Sequence, residues 1–348
     1  MKRKKVCVLH AQVPFVRGGA ENMVESLVRE LRLRGYDAEL VSMPFKWYPA
    51  DALFDAMLAW RLADLTEVNG EPIDLVVACK FPTYCVEHPN KALWLMHQFR
   101  GAYDLYGHPE HGLVRHPDGE RIRDRVKAAD DRTLAEAHPR YAISRNVSER
   151  LKRFNGLDAA PLYHPPKLVG RYRTDGYDGT VLSVGRLDAI KRVGLLLEAL
   201  ALVPGAKAVV AGDGPYRADL ERQAERLGLA DRVAFLGAVS DERLLDLYAN
   251  AGAVYFAPVD EDYGYVTLEA FLSGKPVLTC FDAGAVLEFA VDGRNAVVTD
   301  PDAAALASGL SRLASDAALC RRLGGEGREA VQGIGWDAAV DALTVSLR

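Results

Sequence analysis

Two open α/β domains, each built on a parallel sheet in the Rossmann manner, are what this sequence predicts. Three observations carry the prediction. The chain opens with a buried strand, an amphipathic helix and a second strand, the βαβ unit that implies a parallel sheet. A proline- and glycine-rich stretch near the middle is followed by another strand, loop and helix. And 348 residues is long for one domain and comfortable for two.

Composition narrows the function classes. Hydrophobic residues make up 49% and charged residues 26%, ordinary for a globular protein with real cores. The net charge of -5 argues against a nucleic-acid binder, which should be basic. Lys2-Arg3-Lys4-Lys5 is basic, but no apolar segment of signal-peptide or membrane-spanning length follows it. The cluster is expected to solvate the first strand, with a weak peripheral membrane contact as the alternative. The five cysteines are scattered and without metal spacing. Cys7, Cys79 and Cys280 fall in apolar strand-like runs and read as core residues. A cytoplasmic protein is expected, and the Asn146-Val147-Ser148 sequon carries no weight without a secretory route.

The first domain is expected over 1–165. Its first strand spans 6–10 and ends at His10. After a loop, Gly18-Gly19-Ala20-Glu21 opens a helix whose apolar positions Met23, Val24, Leu27, Val28 and Leu31 keep helical spacing until Gly35 stops it. Residues 38–42 form the second strand. The first turn lacks Gly-x-Gly-x-x-Gly, which counts against a dinucleotide-dependent dehydrogenase. Residues 44–65 hold Phe45, Trp47, Tyr48, Phe54 and Trp60 and include an amphipathic helix. Core or interdomain packing is the default for them, and an acceptor-facing or membrane-touching patch is the alternative. Strands follow over 73–78 and 92–96, the second ending at His97. His108, His111 and His116 lie among prolines and glycines and read as a surface loop, not a metal site, because no further ligand accompanies them. A charged helix over 120–137, a strand over 141–144 and a helix over 147–154 complete the domain.

Pro161, Pro165, Pro166, Gly170, Gly176 and Gly179 mark a linker at 166–179. The second domain, 180–332, starts with a strand over 180–184. Gly185-Arg186-Leu187-Asp188-Ala189-Ile190-Lys191 then leads to a helix over 193–202. Arg186 and Lys191 flank a loop at a strand's carboxyl end, where two cations suit a diphosphate, arginine as a fork and lysine as a point charge. Strands over 208–211 and 233–237 and a helix over 241–251 come next.

The most informative stretch begins at 253. An apolar strand stops at Pro258, an acidic loop Asp260-Glu261-Asp262 follows, and a helix runs from about Tyr263 to Gly274, ahead of Pro276 and another strand. Open α/β sheets bind ligands where a strand's carboxyl end feeds a helix N-terminus. Amides near Gly264, Tyr265 and Val266 would suit an anion such as a diphosphate. Residues 287–291 and 293–298 lead to a helix that packs the domain, and Trp336 begins a terminal helix within 333–348.

Glu261 and Glu269, with seven residues between them, Tyr263-Gly264 inside and Ala270 after, resemble the signature of retaining family-4 glycosyltransferases of the GT-B fold. The resemblance spans most of the chain and is sharpest over 181–296. It implies two Rossmann-like domains whose sheets face across an interdomain cleft, with the terminal helix crossing back to the first domain. A nucleotide-sugar donor, UDP- or GDP-linked, would sit on the second domain, and an acceptor hydroxyl would enter from the first. Glu261 would hold donor-sugar hydroxyls and Glu269 the ribose. Arg186 and Lys191 would hold the phosphates, and the backbone around Gly237 would lie near the base. Tyr263 stands where phenylalanine is more usual.

By the same resemblance, Gly18-Gly19 would let backbone approach the donor, though the residues alone fit a plain capping loop. His97 would contact the donor sugar. Taken alone it fits a structural hydrogen-bonder, and His10 shares its strand-end position. No cofactor or metal is implied: Asp260-Glu261-Asp262 looks like an Asp-x-Asp metal motif, but its position matches the start of the glutamate motif. The family chemistry is front-face attack, with the leaving phosphate helping to deprotonate the acceptor. That acceptor could be a growing polysaccharide, a lipid-linked sugar or a small metabolite. Two rivals share the fold. A nucleotide-sugar 2-epimerase would convert the donor with no acceptor present, and a non-catalytic sensor would bind it unchanged.

Overall fold

The computed structural model describes residues 2–107 and 112–348; His108 and His111 lie outside the described residues. The chain divides into two compact units, Met1–His164 with Gly335–Arg348, and Pro165–Ile334.

The first unit runs β1 (Lys5–Gln12), α1 (Gly19–Leu33), β2 (Asp37–Pro44), α2 (Ala52–Leu62), a short hairpin of β3 (Glu67–Val68) and β4 (Glu71–Pro72), then β5 (Leu75–Ala78). It continues with β6 (Lys91–Leu95), α3 (Gly119–Ala135), β7 (Arg140–Ala142), α4 (Arg145–Asn155) and β8 (Ala160–Pro161). Among the described residues its main sheet has six strands in the order β2-β1-β5-β6-β7-β8, all parallel. The central strands read as unbroken apolar runs because helices cover both faces of a parallel sheet; Leu75, Val76, Val77 and Ala78 are fully buried. Helix α1 buries the predicted stripe of Met23, Val24, Leu27, Val28 and Leu31. Just past its end the chain turns through Gly35 at φ 89°, a left-handed conformation that glycine takes without cost.

The second unit runs β9 (Thr180–Val184), α5 (Val193–Leu202), β10 (Lys207–Ala211), α6 (Arg217–Arg226), β11 (Val233–Gly237), α7 (Asp241–Asn250), β12 (Ala253–Tyr255), α8 (Tyr265–Leu272), β13 (Val277–Cys280), β14 (Ala296–Thr299), α9 (Ala303–Ser315) and α10 (Ala317–Val331). Its six strands are again all parallel, in the order β11-β10-β9-β12-β13-β14. In each unit the order reverses beside the first strand, so connections diverge at the carboxyl ends of β1 and β5, and of β9 and β12. Those are the topological switch points where open sheets bind ligands. The terminal helix, α11 (Trp336–Leu343), belongs to the first unit, where the Trp336 ring stacks on His164 at 5.7 Å and meets Trp94 edge-on at 6.1 Å.

The elements depart from the sequence expectation in several places. Helix α6 was not anticipated, because only Leu220 and Ala224 of its ten residues are buried and the apolar periodicity is faint. One helix was expected after β14, and there are two: Asp316 ends α9, and its carboxylate accepts from the Leu319 amide at 2.8 Å to cap α10. Residues 166–179 are held to the second unit by the Asp175 and Gly176 amides on the Ala249 carbonyl and by the Tyr177 hydroxyl on the Gly274 carbonyl.

Candidate functional site

In the second unit, loops after β9, β12 and β13 are stitched to one another through backbone. The Val259 amide donates to the Ile190 carbonyl at 2.8 Å, Asp260 to Asp282 at 3.0 Å and Glu261 to Ala283 at 3.2 Å, while Ala285 donates back to Glu261 at 2.9 Å. A Cβ on Gly284 would fall 2.6 Å from the Glu261 nitrogen, so this close crossing requires glycine. Arg192, at φ 50°, completes the clamp. Its guanidinium grips Asp282 through two nitrogens at 2.8 and 2.6 Å and donates to the carbonyls of Ala257 and Pro258 at 2.6 and 2.9 Å. The backbone of the acidic loop is thereby fixed independently of what its side chains touch.

On this frame stand the predicted charges. Arg186 is exposed, with its Nε 4.0 Å from Asp188. Lys191 is largely buried and ion-paired with the Glu261 carboxylate; its ammonium also lies 5.5 Å from the centre of the Phe256 ring. Burial pushes the Asp188 carboxyl above the usual carboxylate range, while Lys191 and Arg186 pull it down. Arg186, Lys191 and Glu261 therefore share one cluster, and Asp188 joins it unforeseen.

Helix α8 begins at Tyr265, two residues later than expected, because Gly264 precedes it at φ 80°. A Cβ there would come within 3.1 Å of both Phe256 and Val286. Tyr263 is buried and meets the rings of Tyr265 at 5.3 Å and Phe289 at 6.0 Å, and Val266 is buried beside them. Glu269 has a different setting from Glu261: the Tyr248 hydroxyl donates to it at 2.7 Å. Burial raises the Glu269 pKa and that hydroxyl offsets part of the rise. Gly237 sits at φ 69° and accepts from the Gly212 amide at 2.8 Å.

In the first unit, Gly18 caps α1 in extended conformation and donates its amide to Glu21 Oε2 at 2.7 Å; Gly19 is the first helical residue. Glu21 is buried, with its other oxygen 3.2 Å from His10 Nε2 and 3.9 Å from Lys80 Nζ. Burial opposes its ionisation, but His10, Lys80 and the helix amide win, and the pKa falls to about 2. His10, at 1% exposed, is thus part of the scaffold. His97 is half-buried, with Nδ1 2.7 Å from the Gln98 carbonyl. Sequence reasoning missed Glu21, Lys80 and Arg192, since nothing in residue type separates a buried charge from a solvated one.

Among the described residues no group of three or more histidine, cysteine or carboxylate side chains could hold a metal ion, and no helix is long and apolar enough to cross a membrane. His116 Nδ1 accepts from the Asp118 amide at 3.1 Å.

Residues 169–330 match the family model described as glycosyl transferases group 1. An uncharacterized glycosyltransferase of Methanocaldococcus jannaschii is 35% identical over 141 residues, 39% of this chain and 36% of that one. The D-inositol 3-phosphate glycosyltransferase of Mycolicibacterium smegmatis is 33% identical over 174 residues, 48% of this chain and 39% of that one. The chain thus spans about two-fifths of the length of the curated relatives it matches. Among solved structures, sucrose-phosphate synthase from Thermosynechococcus elongatus superposes with a TM-score of 0.73 at 18% identity, covering 99% of this chain and 97% of that one. Anabaena HepE in complex with UDP-glucose superposes at 0.70 and 18% identity, covering 98% and 99%. At these identities the likeness is one of fold, and the two parallel six-stranded sheets with their helices are those of the α/β GT-B class. Over residues 169–330 the chain is thus similar to the glycosyl transferases group 1 family.

Proposed function

We propose that the protein is a retaining glycosyltransferase that moves a sugar from a nucleoside-diphosphate sugar to an acceptor hydroxyl. The observation that carries this reading is the cluster of Arg186, Lys191 and Glu261 at the carboxyl ends of β9 and β12, ahead of the N-terminus of α8. Two cations and a row of amides suit a diphosphate; each charge-assisted bond contributes about 1.5–3 kcal/mol net where water is excluded. The same groups would stabilise the leaving nucleoside diphosphate as its charge develops.

In this reading Glu261 holds hydroxyls of the donor sugar. Glu269, oriented by Tyr248, holds the ribose, and Gly237, Tyr263, Gly264, Tyr265 and Val266 shape the donor pocket. Gly18, Gly19 and His97 of the first unit serve the donor sugar, as the family resemblance implies. The acceptor proton passes to the leaving phosphate oxygen as the new glycosidic bond forms. A uridine nucleotide is the first donor to test, since solved structures of HepE are complexes with UDP and UDP-glucose; GDP donors fit the same cations. The acceptor is a sugar, a lipid-linked sugar or a small molecule, and no metal is required.

Calorimetric titration with UDP, GDP, ADP and CDP in EDTA tests the site. Binding of one supports a metal-independent diphosphate site, and binding of none overturns the functional reading. Conversion of the bound nucleotide sugar without any acceptor would replace transfer with epimerisation.

A further inference from the structure

Residues 166–179 read as a linker in the sequence, yet they deliver a side chain to the proposed donor site. We propose that Tyr172 is a positioning residue for the nucleotide's ribose, acting with Tyr248 through the Glu269 carboxylate. The inference rests on the proposed ribose role of Glu269 and adds the groups that aim it.

Three observations support it. The first is an orphaned polar atom. The Tyr172 hydroxyl is buried and makes no hydrogen bond among the described residues. The charged group it faces is the Glu269 carboxyl. A hydroxyl kept from water without a partner is costly, so folding alone gives no reason for it.

The second is the platform that carries it. Lys167 pairs with Asp241 at 2.7 Å, Arg171 with Glu242 at 3.1 Å, and Arg173 with Asp246. Each exposed pair is worth little alone, but the three lay the segment along α7 on both sides of Tyr172. The Thr174 hydroxyl then donates to the Ser273 carbonyl at 2.7 Å, just past the end of α8. The segment is thus tied to α7, which carries Tyr248, and to α8, which carries Glu269. The Tyr172 and Tyr248 rings meet edge-on at 6.1 Å and 82°, and both hydroxyls face one carboxyl.

The third is capacity. An ionised carboxylate accepts about four hydrogen bonds and donates none. Tyr248 fills one place on Glu269 at 2.7 Å, and Tyr172 stands beside it for a second. The two places left over match the neighbouring 2′- and 3′-hydroxyls of a ribose. The missing Tyr172 bond forms as the ribose draws the carboxylate into place, so Tyr172 contributes only when a ribose is there.

Tyr172→Phe removes the hydroxyl and leaves the ring and the ion pairs. The probes are UDP, or GDP if that is the nucleotide wild type binds, and the 2′,3′-dideoxy form of the same diphosphate. In isothermal titrations wild type should bind the dideoxy form about tenfold more weakly than the ribonucleotide. Tyr172→Phe should bind the ribonucleotide about three- to fivefold more weakly than wild type does, and the dideoxy form equally well. In the Glu269→Ala background, adding Tyr172→Phe should change neither affinity. An equal loss for both forms, a loss that persists without Glu269, or no loss at all overturns the positioning role and leaves the donor site standing. If wild type binds the two forms equally, Glu269 does not read the ribose, and the role of Tyr172 falls with it. No binding of either ribonucleotide by wild type overturns the donor site and the positioning role together.

Discussion

The loops that follow the first strand of each unit, β1–α1 and β9–α5, occupy the same place in the same kind of sheet and use charge in opposite ways. After β1, Arg17 stays exposed and pairs with Glu25, but the charge in the first turn of α1 turns inward. Glu21 is buried against His10 and Lys80 and spends one oxygen on the Gly18 amide, while Gly18 and Gly19 beside it are exposed. After β9, Arg186 is exposed and Lys191 shares a largely buried ion pair that still keeps some contact with solvent. Beside the first loop a charge is built into the scaffold, and in the second the charges lie nearer to solvent. Burial decides which, because a charge pair in a low-dielectric interior is strong and costly to break, while one in contact with water can trade partners. One topology thus carries a buried charge network after β1 and a more solvent-facing one after β9.

The largest expected effect tests the exchangeable side. Glu261→Ala should lower sugar transfer about 10²–10³-fold, the cost of losing one positioning contact at the reacting sugar. Steady-state release of nucleoside diphosphate measures it. Near-normal turnover would mean that Glu261 belongs to the scaffold like Glu21, and the contrast between the loops would collapse.

Next comes the built-in side. Glu21 has a folded pKa of about 2, below the ordinary 4.5. Its contribution is therefore present above about pH 4.5 and lost as pH falls toward 2; by linkage it is on the order of 3 kcal/mol. Glu21→Gln should lose that much at pH 7 in urea unfolding, and the gap to wild type should shrink at pH 3. Diphosphate affinity of the folded variant should stay unchanged. A gap that does not depend on pH would mean that the side chain's shape, not its charge, supports the loop.

These loops also show what can be read from residues and what cannot. The parallel strands were legible, since burial on both faces writes them as apolar runs such as Leu75–Ala78 and Ala253–Tyr255. Gly264 and the glutamate pair stand out in the sequence as a pattern, whereas Gly237 enters only through the family resemblance. The fate of neighbouring charges was not legible. Lys191 and Arg192 are adjacent cations, yet one pairs with Glu261 and the other clamps Asp282 and two carbonyls; the positive φ at Arg192 divides them, and no residue type announces it. Glu21 lay in plain view behind two glycines and reads as a solvated helix residue until Lys80, 59 positions away, is brought beside it. Long-range burial is the missing information in both cases.

A smaller effect separates the two glutamates of the second unit. Glu269→Ala should weaken nucleoside diphosphate binding about tenfold, the value of a hydrogen bond or two to a charged group, whereas Glu261→Ala should cost nucleotide affinity only modestly. Titrating both variants with the same nucleotide makes the comparison internal, and equal affinity of wild type and Glu269→Ala would remove Glu269 from the donor site.

The smallest expected effect is the most discriminating about the first loop. Gly18 has an extended backbone, φ -163°, and a Cβ there would meet nothing nearer than Glu21 Oε2 at 3.7 Å, an ordinary contact. Gly18→Ala should therefore change stability by no more than about 0.5 kcal/mol. Gly264→Ala, at φ 80° and with two side chains 3.1 Å away, should cost about 1 kcal/mol or more. Since folding gives no reason for glycine at position 18, any loss of nucleotide-sugar affinity in Gly18→Ala at unchanged stability would come from the ligand side, through close approach to the backbone. Full affinity in that variant would return Gly18 to the role of a helix cap, and the first loop would then be scaffold throughout.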